Sequence, residues 1–209
     1  MITKLTENAI SGEFDYTFLM SQLSHYKNPR NQIGKLLKTK MIVRVKKGLY
    51  VFGADVKSKP YSLEVLANLI YGPSYVSAEY ALSYHGLIPE RAYGITSTTN
   101  KRKKQFHTPV GDFSYQYLSD DRYVVGVTQV KIDEVHYALM ATPEKALIDK
   151  LYAQDDLDTT EKMTAYLTEN LRIEKESLAK LSVSRTKKIA VFFGTPAVNA
   201  LVAYLESIS

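Results

Sequence analysis

Residues 27–52 read KNPRNQIGKLLKTKMIVRVKKGLYVF, the pattern of a helix running straight into a β-hairpin. Asn28 is placed to cap the helix, and Pro29 at its first position lacks only an N–H that would go unpaired there. Ile33, Leu36, Leu37 and Met41 recur at helical spacing and define one apolar face. The opposite face centres on Asn31, Lys35 and Lys38, with Gln32, Gly34 and Thr39 at its edges. The pattern then changes to strand over 42–45 and Leu49–Phe52, around a turn at Lys46, Lys47 and Gly48. A short helix leading into a basic hairpin is the recognition helix and wing of a winged helix-turn-helix, and it predicts a module that reads DNA.

Charge supports this prediction. From Tyr16 to Ala54 there is no Asp or Glu, while the span holds eight basic residues: Lys27, Arg30, Lys35, Lys38, Lys40, Arg44, Lys46 and Lys47. Residues 1–59 carry 11 Lys/Arg against 4 Asp/Glu, and the remaining 150 residues carry 16 against 18. The net charge of +5 therefore comes from the N-terminal quarter, as expected of a module that neutralises phosphates. A charge run alone more often marks a solvated face; helix, hairpin and missing acids together favour DNA.

With 209 residues, 45% hydrophobic and 23% charged, the chain has room for one large or two small globular domains. No apolar run approaches the roughly 18 residues of a membrane span, and the first residues lack the apolar stretch of a secretion signal. Without cysteine there is no disulfide, zinc finger or thiol nucleophile. A cytoplasmic protein is expected.

Around the central stretch, residues 3–10 predict a first helix, Gly12 breaks it, and Asp15 is placed to cap a second that runs to Leu23. These helices and the hairpin make a DNA-binding domain over 1–53. Residues 54–60 have linker composition, and 61–209 form a larger α+β domain. Ser62 and Ser77 are placed to start its two first helices. Ile95–Thr99, with 105–108 as its partner across a turn, then residues 113–117, 124–130 and 137–140, predict an antiparallel sheet with helices on one side. Thr142 and Pro143 open a helical C-terminal third, with Ala146, Leu147 and Leu151 turned inward.

Catalytic chemistry finds little support. The histidines His25, His85, His107 and His136 are scattered, with no pair at metal-ligand spacing. No phosphate-binding glycine loop or nucleophile elbow is present, and Asp155, Asp156 and Asp158 suit a loop before a helix. The expectation is no enzyme activity, no metal and no cofactor. Lys101, Arg102, Lys103 and Lys104 form a cationic turn that reads equally as a solvated loop and a second nucleic-acid contact, or else as a dock for an acidic partner. Two other readings stay open: a nucleic-acid-processing enzyme targeted by its winged helix, and a regulator holding a small molecule among Tyr80, Tyr84, Tyr115 and Tyr117.

Three separated stretches carry a family resemblance: the helix and wing ending in KKGLYVF, YVSAEYALSYHGLIPE (75–90), and ATPEKALIDKLYA (141–153). In this order they resemble the AbiEi antitoxins, the transcription-regulator half of bacterial abortive-infection toxin–antitoxin systems. The resemblance implies a repressor of its own operon that binds inverted-repeat operator DNA, with a C-terminal domain needed for antitoxicity. It also implies a neighbouring nucleotidyltransferase-type toxin, opposed without a stable complex. The positions that match the family's DNA-reading surface are Arg30, Asn31, Gln32, Lys35 and Lys38 on the helix, flanked here by Thr39. In the wing they are Arg44, Lys46 and Lys47.

Overall fold

A computed structural model describes residues 1–208. The chain starts with α1 (Ile2–Asn8), β1 (Glu13–Asp15), α2 (Tyr16–Gln22), α3 (Pro29–Lys38), β2 (Ile42–Lys46) and β3 (Leu49–Phe52). Asp15 starts α2, its Oδ1 accepting the Phe18 N–H at 2.7 Å. Asn28 holds the cap position of α3 without a side-chain bond; its carbonyl accepts the N–H groups of Asn31 and Gln32. The three strands pair antiparallel in the order β1-β3-β2. At three residues, β1 is too short for an alternating pattern to announce it.

The middle strand, β3, is buried on both faces. Tyr50 and Phe52 join Leu5, Phe14, Leu19, Leu23, Ile33 and Leu36 in a small core. Leu49 and Val51, with Val45, face the other way into the large core of the rest of the chain. That is why the strand reads as a continuous apolar run, LYVF, instead of alternating. The hairpin is thus a partition between two cores.

Where it ends, the backbone is tightly packed. A Cβ on Gly53 would lie 1.8 Å from the Lys40 carbonyl oxygen, and the Gly53 N–H donates to Met41 O at 2.9 Å. Gly53→Ala is therefore expected to destabilise the chain by about 1–3 kcal/mol, toward the upper end of overpacking costs because the obstacle is backbone. A urea midpoint equal to that of wild type would refute this. Residues 54–60 form no helix or strand, but they fold back on β1: the Gly12 N–H donates to Pro60 O at 2.9 Å.

The larger part runs α4 (Leu63–Ile70), β4 (Ser74–Val76), α5 (Ala78–Tyr84), β5 (Ile95–Thr99), β6 (Lys104–Thr108) and β7 (Gly111–Tyr117). It continues through α6 (Asp120–Tyr123), β8 (Val127–Lys131) and β9 (Tyr137–Ala141). The C-terminal helices are α7 (Pro143–Leu151), α8 (Thr160–Ala165) extended by a π-helical turn (Tyr166–Asn170), α9 (Lys175–Leu178), α10 (Val183–Ala190) and α11 (Pro196–Ser207). The class is α+β.

Its six-stranded sheet, in the order β6-β7-β5-β4-β9-β8, is mixed, not antiparallel. The pairs β5–β7 and β4–β9 are parallel. The expected pairing of β5 with 105–108 does not form, because β7 lies between them. Burial explains the order: β5 is almost wholly buried and needs a neighbour on each side, whereas the exposed, Lys-bearing β6 suits an edge. Helices cover both faces, not one. Thr98 Oγ1 donates to Asp149 on α7 at 3.4 Å. The adjacent Ser97 lies level with Tyr115, whose hydroxyl reaches Ala67 O on α4 at 2.7 Å. Among the described residues no helix is long and apolar enough to cross a membrane.

Candidate nucleic-acid interface

Helix α3 buries Ile33 and Leu36 and exposes Arg30, Asn31, Lys35 and Lys38, with Thr39 exposed just after it; Gln32 is half-buried at the edge. The period of 3.6 alone separates these two faces. Arg30 is steadied from α2, its Nε donating to the Tyr16 hydroxyl at 3.2 Å. Thr39 turns its hydroxyl back to the Lys35 carbonyl at 2.9 Å, closing the helix end. Asn31, Lys35 and Lys38 thus lie on one exposed face.

The hairpin treats its cations differently. Arg44 is exposed on β2, its guanidinium 5.8 Å from the centre of the Tyr50 ring. Lys47 is exposed in the turn beside Gly48, whose φ of 88° is the left-handed conformation the turn requires. Lys46 does not stand free as its place in the charge run suggests. Its ammonium donates to the carbonyls of Leu69 at 3.0 Å and Ile70 at 2.5 Å, the open C-terminal end of α4. A cation is favoured there by the unpaired carbonyls and the helix dipole. Burial, then the charges of Lys101 and Lys104, lower its pKa.

Those two lysines bring the second cationic cluster to the β2–β3 hairpin. Lys101 donates to Gly72 O at 2.5 Å and lies 5.7 Å from the centre of the Tyr71 ring. Lys104 lies 5.6 Å from the same ring and 4.9 Å from that of Phe106. Arg102 and Lys103 are exposed in the turn between β5 and β6. Residues 69–72 therefore gather three lysines, Lys46 from the hairpin, Lys101 from the β5–β6 turn and Lys104 from the start of β6. The stretch of sequence between hairpin and turn, over fifty residues, hides this proximity from any local reading.

The tyrosines named as ligand candidates separate. Tyr80 and Tyr84 line a cleft of about 450 Å³ with Arg91 and Tyr93. Tyr80 donates to Glu64 at 2.6 Å, and burial followed by that bond raises its pKa. Tyr115 is core, and Tyr117 is outside the cleft's lining. Among the described residues no three His, Asp or Glu side chains converge as a metal site.

A cluster of charges in the core has no counterpart in the sequence reading. Lys145 and Asp149 on α7 are buried, with Lys145 Nζ 2.5 Å from Asp149 Oδ1. Asp149 Oδ2 accepts from Tyr75 at 2.8 Å and Ser77 at 2.7 Å. Ser77 holds the cap position of α5, but its hydroxyl is spent on this carboxylate and makes no cap bond. Burial raises the Asp149 pKa and lowers that of Lys145, each opposed by the other's charge. Buried Glu144 accepts from Arg185 at 3.2 Å and from the Ser182 N–H at 3.0 Å. Three of the four charged side chains of ATPEKALIDK, those of Glu144, Lys145 and Asp149, are therefore built into the core instead of a surface, while Lys150 is partly exposed and pairs with Glu79. The i,i+4 spacing of Lys145 and Asp149 was the available signal.

Neither protein-family models nor curated proteins match the sequence. Among solved structures, the fold is similar to the crystal structure of the RV2827C protein from Mycobacterium tuberculosis, with a TM-score of 0.56 and 13% identity. The match covers 97% of this chain and 79% of that one.

Proposed function

We propose that the chain is a DNA-binding transcriptional repressor, its residues 1–53 a winged helix-turn-helix and its α3 the recognition helix. One observation carries the reading: the acid-free span folds into a helix with an exposed polar and basic face, followed by a hairpin with Arg44 and Lys47 exposed. Asn31 and Gln32 near the start of α3 read base edges, and Lys35 and Lys38 hold phosphates. The turn at 101–104 extends the phosphate-binding surface beyond the wing. Its resemblance to the AbiEi family supports the further reading of an antitoxin in an abortive-infection operon. The partners are then inverted-repeat operator DNA and a nucleotidyltransferase-type toxin opposed without a stable complex. This reading assigns the chain no catalytic step.

Binding of the full chain to DNA at several salt concentrations tests the surface residue by residue. Arg44→Ala and Lys47→Ala should each lower the slope of log K against log salt by about 0.9, equally for every sequence. Lys46→Ala should leave the slope unchanged and instead cost about 1 kcal/mol of stability through the uncapped end of α4. A slope change for Lys46→Ala equal to that for Lys47→Ala would contradict the division of roles.

A further inference from the structure

The N-terminal module and the larger sheet meet at a second charge cluster, in which buried His136 and Glu13 side chains are joined by an exposed Asp133, and which the DNA reading does not use. His136, only 2% exposed, sits where the β8–β9 turn enters β9. Its Nδ1 lies 2.6 Å from Asp133 Oδ2 in the same turn, and its Nε2 lies 3.2 Å from Glu13 Oε2 on β1. Asp133 Oδ1 accepts the backbone N–H groups of Val135 and His136, both at 2.9 Å, which fixes that carboxylate in place. The Glu13 side chain is only 7% exposed, so water does little to solvate its charge.

A neutral imidazole has one donor, and a carboxylate only accepts. Both ring nitrogens face carboxylate oxygens, so only the doubly protonated ring satisfies both contacts. With one proton gone, a nitrogen lone pair faces a carboxylate, and at Glu13 that repulsion lies in a buried site. The other charged side chains of the turn, Lys131 and Glu134, pair with each other at 3.1 Å.

We propose that His136 is a proton-operated clamp between the N-terminal module and the β8–β9 hairpin, closed while the ring holds both protons and loosened when it loses one. The strand it grips, β1, is hydrogen-bonded along β3, so the clamp acts on the seat of the wing. Burial pulls the ring's pKa down, but the carboxylates of Asp133 and Glu13 more than offset this and hold it above the ordinary value. The sign follows from that direction. The clamp's contribution is complete below the free-imidazole pKa of about 6.5 and is lost as pH rises through the higher folded value. The clamp belongs to the protein alone and does not rest on the DNA reading.

The test uses the full chain without DNA. Imidazole NMR signals are titrated, and amide hydrogen exchange, corrected for its intrinsic pH dependence, is followed at about pH 6 and about pH 8.5. His136 should titrate above the ordinary imidazole value of about 6.5. Protection at Glu13–Asp15 and at 135–137 should fall across that titration, by up to tenfold for each pH unit that separates the folded and unfolded values. Glu13→Gln should lower the His136 pKa and flatten the pH dependence of protection. A His136 that titrates below about 6.5, or junction protection unchanged through its titration in wild type, would overturn the clamp whether or not the variant folds.

Discussion

Asp149→Ala is expected to cost about 3–5 kcal/mol of stability, the range for stranding one member of a buried ion pair. Its carboxylate accepts from Lys145, Tyr75, Ser77 and Thr98, and both charged side chains are all but inaccessible. Truncation leaves an ammonium without its counter-ion in the core, facing the rings of Phe193 at 4.5 Å and Tyr75 at 5.6 Å. Those rings supply some cation–π attraction, too little to replace a carboxylate. For a chain of this length the loss should lower the unfolding midpoint by roughly 6–20 °C. The double variant Lys145→Met with Asp149→Leu removes both charges and fills the site with apolar side chains of similar shape, so it should lose much less than the single one. An Asp149→Ala protein that melts with wild type, or a double variant worse than the single, would contradict a paired, dry cluster.

The second large effect is on DNA. Lys35→Ala with Lys38→Ala removes two exposed cations from α3, one turn apart, without touching Ile33 or Leu36 behind them. With two fewer phosphates neutralised, the salt slope should fall by about 1.8, and on the proposed repressor reading repression of the chain's own operon should fail with it. Asn31→Ala should act differently, reducing preference for operator over random DNA by about 1–3 kcal/mol, roughly 5- to 150-fold. If the antitoxin reading holds, the double-lysine variant still rescues cells that express the toxin from an unrelated promoter. A variant that loses rescue together with repression would place both activities on α3.

The N-terminal elements were largely legible because local signals there agree. Pro29 opens α3, Ile33 and Leu36 mark its buried face, and Gly48 marks the turn. Met41 is an exception: grouped by spacing with the apolar face of α3, it follows the helix and is 38% exposed. The sheet order was not legible, because β7 inserts between β5 and β6: Pro109 to Gly111 turn β6 tightly into β7, but the parallel pairing of β5 with β7 has no turn to announce it. That Leu49 and Val51 turn toward a second core was not legible either, because most of the residues they join there lie beyond residue 60. Lys46, Lys145 and His136 were hidden for one shared reason. Each is a charged or titratable side chain whose partner lies in another element or behind a helix face assumed to be wet, and composition scores such residues as surface.

That α3 reads DNA sequence is the central claim, and one titration addresses it directly. The full chain is bound to the DNA upstream of its own coding sequence and to a shuffled duplex of equal length, across about 50–200 mM salt. The prediction is a steep salt dependence for both and a preference for the upstream DNA of about 10³-fold or more, which Asn31→Ala diminishes while leaving the slope in place. Equal affinity for the two duplexes, or no binding to either at the lowest salt by a folded protein, would contradict it.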